Sequence, residues 1–463
     1  MRILLVKPHL SRATHAGKDF VELEPLELEY LAAALSNHDV ELLDMRFERN
    51  LEKKIEEFQP HIVGTTAYSV HFYNALKVMQ TAKRIDKDIF TVVGGHHATL
   101  MSQDFNHKEI DAIVIGEGIF SFKELVENLE RRRSLRNIPG LALRENSDLV
   151  FTEPRNDIDN VDLFPLPNRD ITRKYRQNYF YLWWKPVALM RASVGCAYRC
   201  SFCPIWKAAR GRWKCRAPEL VAEELATVKE GFVYFCDDNA FFDKEKMEAL
   251  YNFIKQRNIR KEYFFFSRTD TLVKHQDLIE KWAEIGLRQV FLGIEAVTNE
   301  NLNLLRKRID SEISREAVRI LQRNGIDPFV GFIVFPDFQE KDFDRIYDYM
   351  GELGIYYNEI TVLTPSPGSD LYWKEEETLT TKNYELFDFL HAVLPTKLNR
   401  RDFYRNLANL YIRAYSPLRA FRSKPRTGFP LRPWHLTKAL VNAVRNYLSI
   451  RNSYRLAARV AKV

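Results

Sequence analysis

The chain is poor in cysteine, with five in 463 residues, and three of those stand close together between Cys196 and Cys203. An odd cluster this tight cannot pair internally, which excludes a disulfide scaffold and points to a reducing, cytoplasmic setting. No apolar run reaches the ~18 residues that a membrane-spanning helix needs. The opening run Met1-Arg-Ile-Leu-Leu-Val-Lys-Pro8 is too short for a signal peptide and reads as a first strand. No GxGxxG follows it, which argues against a bound dinucleotide. Acidic residues are nearly missing from the end of the chain. From Lys397 to Val463 there are 16 Lys and Arg against Asp402 alone, a net charge of +15, while the remainder carries 53 against 61, a net −8. A basic appendix on an acidic body needs its own explanation.

What is present is enough for large cores: 46% of the residues are hydrophobic and 13% aromatic. The length suits about three domains at ~150 residues each. The cysteine cluster reads Cys196-Ala-Tyr-Arg-Cys200-Ser-Phe-Cys203-Pro204, just after the extended run Val187–Gly195. Three thiolates on a short loop can hold three irons of a cubane. Ordinary 4Fe-4S sites use four Cys, so the fourth iron stays open to an exchangeable ligand. Zinc is the rival, although a fourth Cys or a His at ligand spacing is missing nearby. Cys215 and Cys236 read as small buried hydrophobes.

Ahead of that loop, short apolar runs (Ile3–Val6, Val40–Leu43, Ile62–Thr65, Thr91–Val93, Ala112–Ile115) alternate with helical patterns at Leu26–Leu35, Tyr73–Lys83 and Phe120–Leu129. Continuous apolar strands between helices predict an α/β, doubly wound parallel sheet over residues 1–150, with ligands beyond the strand C-termini. Those ends carry Asp44, Thr65, Thr66, Gly94, Gly95, Gly116, Glu117 and Gly118. A Pro-punctuated linker occupies 151–186. Its aromatic run Asn178–Trp184 is expected to pack at the domain interface, with the wall of a greasy substrate channel as the alternative. Over 187–370, runs at Phe232–Phe235, Tyr263–Phe266, Gln289–Ile294, Phe329–Phe335 and Glu359–Leu363 follow the cysteine strand between helical stretches. Six βα units predict a partial TIM-type barrel with chemistry at the strand C-termini. Residues 371–463 form a basic helical region, with helices expected at Leu386–Leu394, Phe403–Tyr415 and His435–Val463. The last would place Leu436, Leu440, Val444 and Leu448 on one face beside Arg445, Arg451, Arg455 and Arg459, a pattern that suits a membrane surface. Nucleic acid is the weaker reading of the same charge.

The CxxxCxxC loop, with Phe202 before its last Cys, resembles that of the radical S-adenosylmethionine (AdoMet) enzymes. Glu24-Pro25-Leu-Glu-Leu-Glu-Tyr-Leu-Ala-Ala33, then Leu42-Leu43-Asp44, then Val93-Gly94-Gly95-His96-His97-Ala98-Thr99 resemble the cobalamin-binding domain that precedes the barrel in many of them. The resemblance implies a 4Fe-4S cluster on Cys196, Cys200 and Cys203, with AdoMet on the open iron and cobalamin at the N-terminal strand ends. AdoMet contacts are implied for Asp237 and Asp238 after the second barrel strand, Ser267 and Arg268 after the third and Glu295 after the fourth, with Gly331–Pro336 on the adenine side. The loop after the second N-terminal strand, Asp44-Met45-Arg46, has Arg where a cobalt-ligating His of DxHxxG would stand, which implies base-off cobalamin without that His. His96 and His97 are expected to be surface or hydrogen-bonded. The implied chemistry is reductive cleavage of AdoMet to methionine and a 5′-deoxyadenosyl radical, hydrogen abstraction from an unactivated carbon, and, in the methylating branch, methyl delivery from methylcobalamin. A one-electron reductant such as flavodoxin or ferredoxin is implied too.

Within the group the chain is most similar to the hopanoid C-3 methylase type, and a lipid-like or other small-molecule substrate follows, with the basic tail at the inner membrane surface. The alternatives are a non-methylating radical enzyme similar to the oxidative cyclase of bacteriochlorophyll synthesis, and a nucleic-acid-binding protein with a structural metal. Changing all three clustered cysteines to Ala should remove the iron and all 5′-deoxyadenosine formation, read by iron analysis and chromatography. A full cluster in the triple variant would refute the assignment.

Overall fold

The computed structural model describes residues 1–463 except 16, 18, 19, 156, 417 and 418 and most of 420–463, where only 441, 450 and 454 are described. Two largely parallel sheets carry the fold. The first contains β1 (Arg2–Lys7), β2 (Asp39–Asp44), β3 (Ile62–Thr66), β4 (Phe90–Gly94) and β5 (Ala112–Val114), parallel in the order β2-β1-β3-β4-β5. Ile3 to Val6 are buried because helices cover both faces, and for the same reason the run has no polar alternation. The strand order reverses between β1 and β3, where doubly wound sheets open a ligand crevice. A hairpin, β6 (Leu141–Glu145) and β7 (Asp148–Phe151), extends the β5 edge antiparallel.

The second sheet runs β8 (Val187–Met190), β9 (Phe232–Phe235), β10 (Glu262–Ser267), β11 (Leu287–Glu295), β12 (Asp327–Val334) and β13 (Tyr357–Val362), all parallel and paired in sequence order. This is the expected six-stranded partial barrel. Tyr181 from the linker packs on Tyr234 at 4.9 Å and Phe264 at 4.8 Å, and Trp184 beside it is fully buried. The aromatic run is therefore core at the junction of the two sheets, as its packing reading expected.

A buried lattice of charges joins the sheets. Helix Leu26–Ala34 and the residue pair before it contribute Glu24 and Glu29, both essentially inaccessible. Arg169 of the linker reaches Glu24 at 2.5 Å, Glu29 at 3.5 Å and Glu224 of the first barrel helix at 3.0 Å. Arg176 adds contacts to Glu24 and Glu230, and Arg216 pairs with Glu224 at 2.6 Å while donating to Tyr30 Oη at 3.2 Å. Arg169 also donates to the Leu189 carbonyl at 2.7 Å, inside the first barrel strand. Burial and the neighbouring Glu24 charge push the Glu29 carboxyl well up, so it carries the proton of the group. Three guanidiniums then face three carboxylates. The Glu24–Ala33 motif, read in the sequence as a cobalamin-domain signature, thus performs the docking of the two domains.

The segment after the barrel departs from expectation. Leu386–Leu394 is not helical; only the 3-10 turn Tyr384–Leu386 precedes a run of bends. Asp388 accepts the backbone N–H groups of Leu390 and His391 at 3.0 Å each and holds the His391 ring at 2.9 Å, which competes with helical bonding. The segment packs instead onto the N-terminal domain: Thr14 donates to the Glu385 carbonyl, the His15 N–H to Asp388, and the Tyr384 phenol to Asp104. The helix Arg400–Ala414 forms near the place expected. The expected helix His435–Val463 lies, except for 441, 450 and 454, outside the described residues.

Removing one partner of a buried ion pair typically costs about 3–5 kcal/mol. Glu24→Gln should therefore lower the unfolding free energy by about that much in denaturant titrations, whereas Glu29→Gln should be neutral near the ordinary glutamate pKa and should gain on the parent as pH rises above it. Because Glu29's pKa is raised by folding, its contribution is fully present at acid pH and is lost as pH rises through the raised value. Glu29→Gln should remove that part of the alkaline loss. Equal destabilisation by the two variants would contradict this reading.

Candidate active site

The cluster loop is mounted on a small antiparallel ribbon, Ser193–Gly195 with Trp213–Cys215, at the end of β8. Gly195 sits at φ +81°, and a Cβ there would lie 2.3 Å from the Arg212 carbonyl oxygen, so only glycine closes this turn. Asp237, after β9, is buried and spends both oxygens on the Ala192 N–H and the Ser193 hydroxyl. Arg268, after β10, is 5% exposed and donates Nη1 toward Cys200 Sγ at 3.7 Å. It also grips Asp270 with two bonds of 3.0 Å, donates to the Lys307 carbonyl at 2.9 Å and lies 3.7 Å over the Tyr198 ring. Asn239 Oδ1 accepts the Arg268 N–H at 3.1 Å, and the Ser267 hydroxyl donates to the Arg268 carbonyl at 3.0 Å. Asp237 and Arg268 therefore brace the cysteine loop, with Ser267 supporting Arg268 from its own strand end.

Among the described residues no three His, Cys, Asp or Glu side chains converge on a point that would hold a single metal ion. In a cubane each Cys holds a different corner, and a guanidinium beside one sulfur suits the negative charge of a thiolate-bound cluster. Burial pushes the Cys196 and Cys203 thiols up, so they stay protonated until a bound metal takes the place of the protons.

Around this loop the barrel's strand ends open into a cavity. Asp238 is accessible to a ligand yet set deep enough that burial, with Asp237 and Glu117, pushes its carboxyl up to about 7. Glu295 ends β11 at φ +66°, bridged to Lys307 at 2.8 Å, in a fold of backbone that an L-residue rarely adopts. A pocket of ≈170 Å³ lies beside it, bounded by Phe202 of the cluster loop and by Phe291, Gly331 and Glu359.

The N-terminal domain turns its own strand ends toward those of the barrel. Gly116 stands in the open at φ +90°, with nothing within 4 Å of where a Cβ would be. Glu117 crosses to the barrel, meeting Arg191 at 2.9 Å, and Arg191 lies 5.1 Å over the Tyr30 ring. Tyr68 is 45% exposed and stacks on His96 at 5.1 Å, and burial lowers the His96 pKa, so that ring is neutral. Gly95 sits at φ +98°, where a Cβ would come within 2.8 Å of the Ala67 nitrogen and Thr66 Oγ1. Thr65 donates to the Val6 carbonyl at 3.0 Å and is buried, as is Thr66. Gly94, half-buried at the end of β4, borders this face.

Two residues depart from the sequence reading. Asp44 is fully buried and held by Arg46 in two bonds of 2.8 and 2.6 Å, with the Tyr179 phenol donating at 3.2 Å, so it is closed to ligands. Arg46 also pairs with Glu22 at 2.9 Å and lies against Phe47 and Tyr179. Arg46 thus closes over Asp44 from the position where the His of DxHxxG would stand. His97 is held between Ser69 at 3.0 Å and Asp104 at 3.2 Å, the hydrogen-bonded state expected of it. Reading by strand ends missed Arg191, Lys307, Tyr68 and Glu359. Arg191 directly follows an apolar strand and could have been found; Lys307 and Glu359 carry no local signal.

The donor sets match their implied cofactors: three cysteines on a braced loop, and an open, glycine-bordered face on the neighbouring sheet. The B12 binding domain family matches residues 16–126 and the Radical SAM superfamily residues 190–350. The chain is 32% identical over 415 residues to a hopanoid C-3 methylase of Methylococcus capsulatus, covering 88% of this chain and 79% of that one. It is 27% identical to an anaerobic magnesium-protoporphyrin IX monomethyl ester cyclase of Rubrivivax gelatinosus, over 92% of this chain and 79% of the relative. Among solved structures, the radical AdoMet methyltransferase TsrM of Kitasatospora setae, described with cobalamin and a [4Fe-4S] cluster bound, shares the fold. Its TM-score is 0.66 at 19% identity, covering 82% of this chain and 79% of that one. The chain belongs to the cobalamin-dependent radical AdoMet methyltransferases, enzymes that work with a 4Fe-4S cluster, AdoMet and cobalamin.

Proposed function

We propose that this enzyme methylates an unactivated carbon of a hydrophobic, lipid-like substrate held between its two sheets. The carrying observation is that the strand ends of the two sheets meet at the Glu117–Arg191 bridge of 2.9 Å, with exposed Tyr68 on one side and exposed Asp238 on the other. An exposed aromatic such as Tyr68 at this junction suits an apolar ligand. Similarity to a hopanoid methylase supports the lipid class.

Cys196, Cys200 and Cys203 would hold the cluster, and the face with Gly94, Gly95, Gly116 and Glu117 would receive cobalamin. Thr65 and Thr66 would support that face from beneath. Bound there, the cofactors supply an adenosyl radical and a transferable methyl group. The chain's own part is positioning and exclusion of water. Arg268 would steady the cluster loop. Asp238 and Glu295 would take the polar end of AdoMet, Asp238 as the anion that meets its ammonium group. Ionised Asp238 is the competent form, so AdoMet affinity should rise with pH through about 7.

The cyclase relative, of equal coverage, favours a second reading, radical oxidation without methyl transfer. Anaerobic turnover of a lipid extract with trideuteromethyl-AdoMet separates the two. Methylation predicts a product carrying the heavy methyl, with S-adenosylhomocysteine and 5′-deoxyadenosine in equal amounts. A product without label, and no S-adenosylhomocysteine, would support the second reading.

The substrate class also gives the +15 tail a role at an anionic membrane surface, each basic residue contributing up to ~1 kcal/mol before screening. Deletion from Leu431 onward should weaken co-sedimentation with anionic vesicles while cofactor spectra stay unchanged. Failure to bind vesicles, with salt-steep binding of tRNA instead, would replace the lipid with a macromolecular substrate.

A further inference from the structure

One carboxylate in the barrel has no assigned work. Glu359 lies in the middle of β13, level with Gly331 on β12, and lines the ≈170 Å³ pocket together with Phe202, Phe291, Glu295, Thr361 and Phe389. Its accessible surface faces that pocket. Glu295 across the pocket is neutralised by Lys307 at 2.8 Å. Glu359 has no hydrogen-bond or ion-pair partner among the described residues, and burial, followed by the Glu295 charge, pushes its carboxyl up to about 7. The phenols in its field, Tyr181, Tyr234 and Tyr415, are themselves pushed up by burial and stay neutral.

An acceptor left open inside an aromatic lumen awaits a donor from a ligand. The pocket is smaller than the ~300–1,000 Å³ of a whole drug-sized ligand, so it takes a compact part of one. Phe202, between the second and third cluster cysteines, is one of its walls, which sets the pocket beside the cluster loop and the ligand bound there. We infer that Glu359 is the hydrogen-bond acceptor that positions the adenosyl half of AdoMet, whose ribose hydroxyls and exocyclic amine are the donors available. The inference rests on the radical AdoMet assignment and adds a positioning residue to it.

The probe is 5′-deoxyadenosine, which lacks the amino-acid end and so does not engage Asp238. Its binding to the cluster- and cobalamin-loaded enzyme is followed by calorimetry. The ionised carboxylate is the better acceptor, so binding should release a proton, and affinity should rise between about pH 6 and about pH 8 and then level off. Glu359→Gln should bind the nucleoside roughly tenfold more weakly, the effect of one charge-assisted hydrogen bond, and without that pH dependence. Iron and cobalt contents should be unchanged, which separates this test from a failure of the cofactor assignment itself. An unaltered affinity and pH profile in Glu359→Gln would overturn the inference. So would intact nucleoside binding with a raised KM for the methyl acceptor, since Glu359 would then serve the substrate. If the variant does not load, the wild type decides: proton release measured in two buffers of different ionisation enthalpy supports the inference, and its absence overturns it.

Discussion

The arrangement depends on a buried set of opposed charges between the domains. Arg169 and Arg176 of the linker hold Glu24 and Glu29 of the first sheet's helix, and Arg169 reaches on to Glu224 of the barrel. Buried ion pairs add little net stability against an apolar packing of the same shape, but they are demanding in geometry. A slipped interface would leave a guanidinium or a carboxylate unpaired in the dry interior. That is a physical reason for two sheets, each able to fold around its own core, to meet in a single orientation. The post-barrel segment reinforces it by returning to the first domain through Tyr384–Asp104 and Asp388–His15.

Orientation matters because neither sheet makes a site alone. The cluster loop, braced by Asp237 and Arg268, stands at the barrel's strand ends. The glycine-bordered face stands at the ends of β3 to β5, and the Glu117–Arg191 bridge ties the two rims. Radical and methyl-group chemistry in one active site would need both cofactors near the same carbon, and the docking brings the two sets of strand ends together at that bridge.

Much of this was legible in the sequence because its signals are local. Apolar runs marked all the parallel strands of both sheets, and CxxxCxxC narrowed the metal to a cluster or zinc, with the resemblance to a known family pointing to the cluster. What was not legible depends on partners far along the chain. Asp44 read as a ligand-facing strand end, but Arg46 and Tyr179 close it off. Asp237 and Asp238 are adjacent and chemically identical, yet one is consumed by the ribbon and the other faces the cavity. The helix expected at Leu386–Leu394 gave way because Asp388 captures backbone donors for a contact with His15. The hairpin at β6 and β7 lacked a usable pattern because its outer strand is an exposed edge.

The most direct measurement is a pulsed-dipolar distance between bound cob(II)alamin and a nitroxide-bearing residue at exposed position 255 on the barrel, in the wild type and in Glu24→Gln. A single narrow distance is expected in the wild type, broadening when Glu24 loses its charge. A broad distribution in the wild type, or one unchanged by the substitution, would contradict the claim that buried charge fixes the two domains about one cavity.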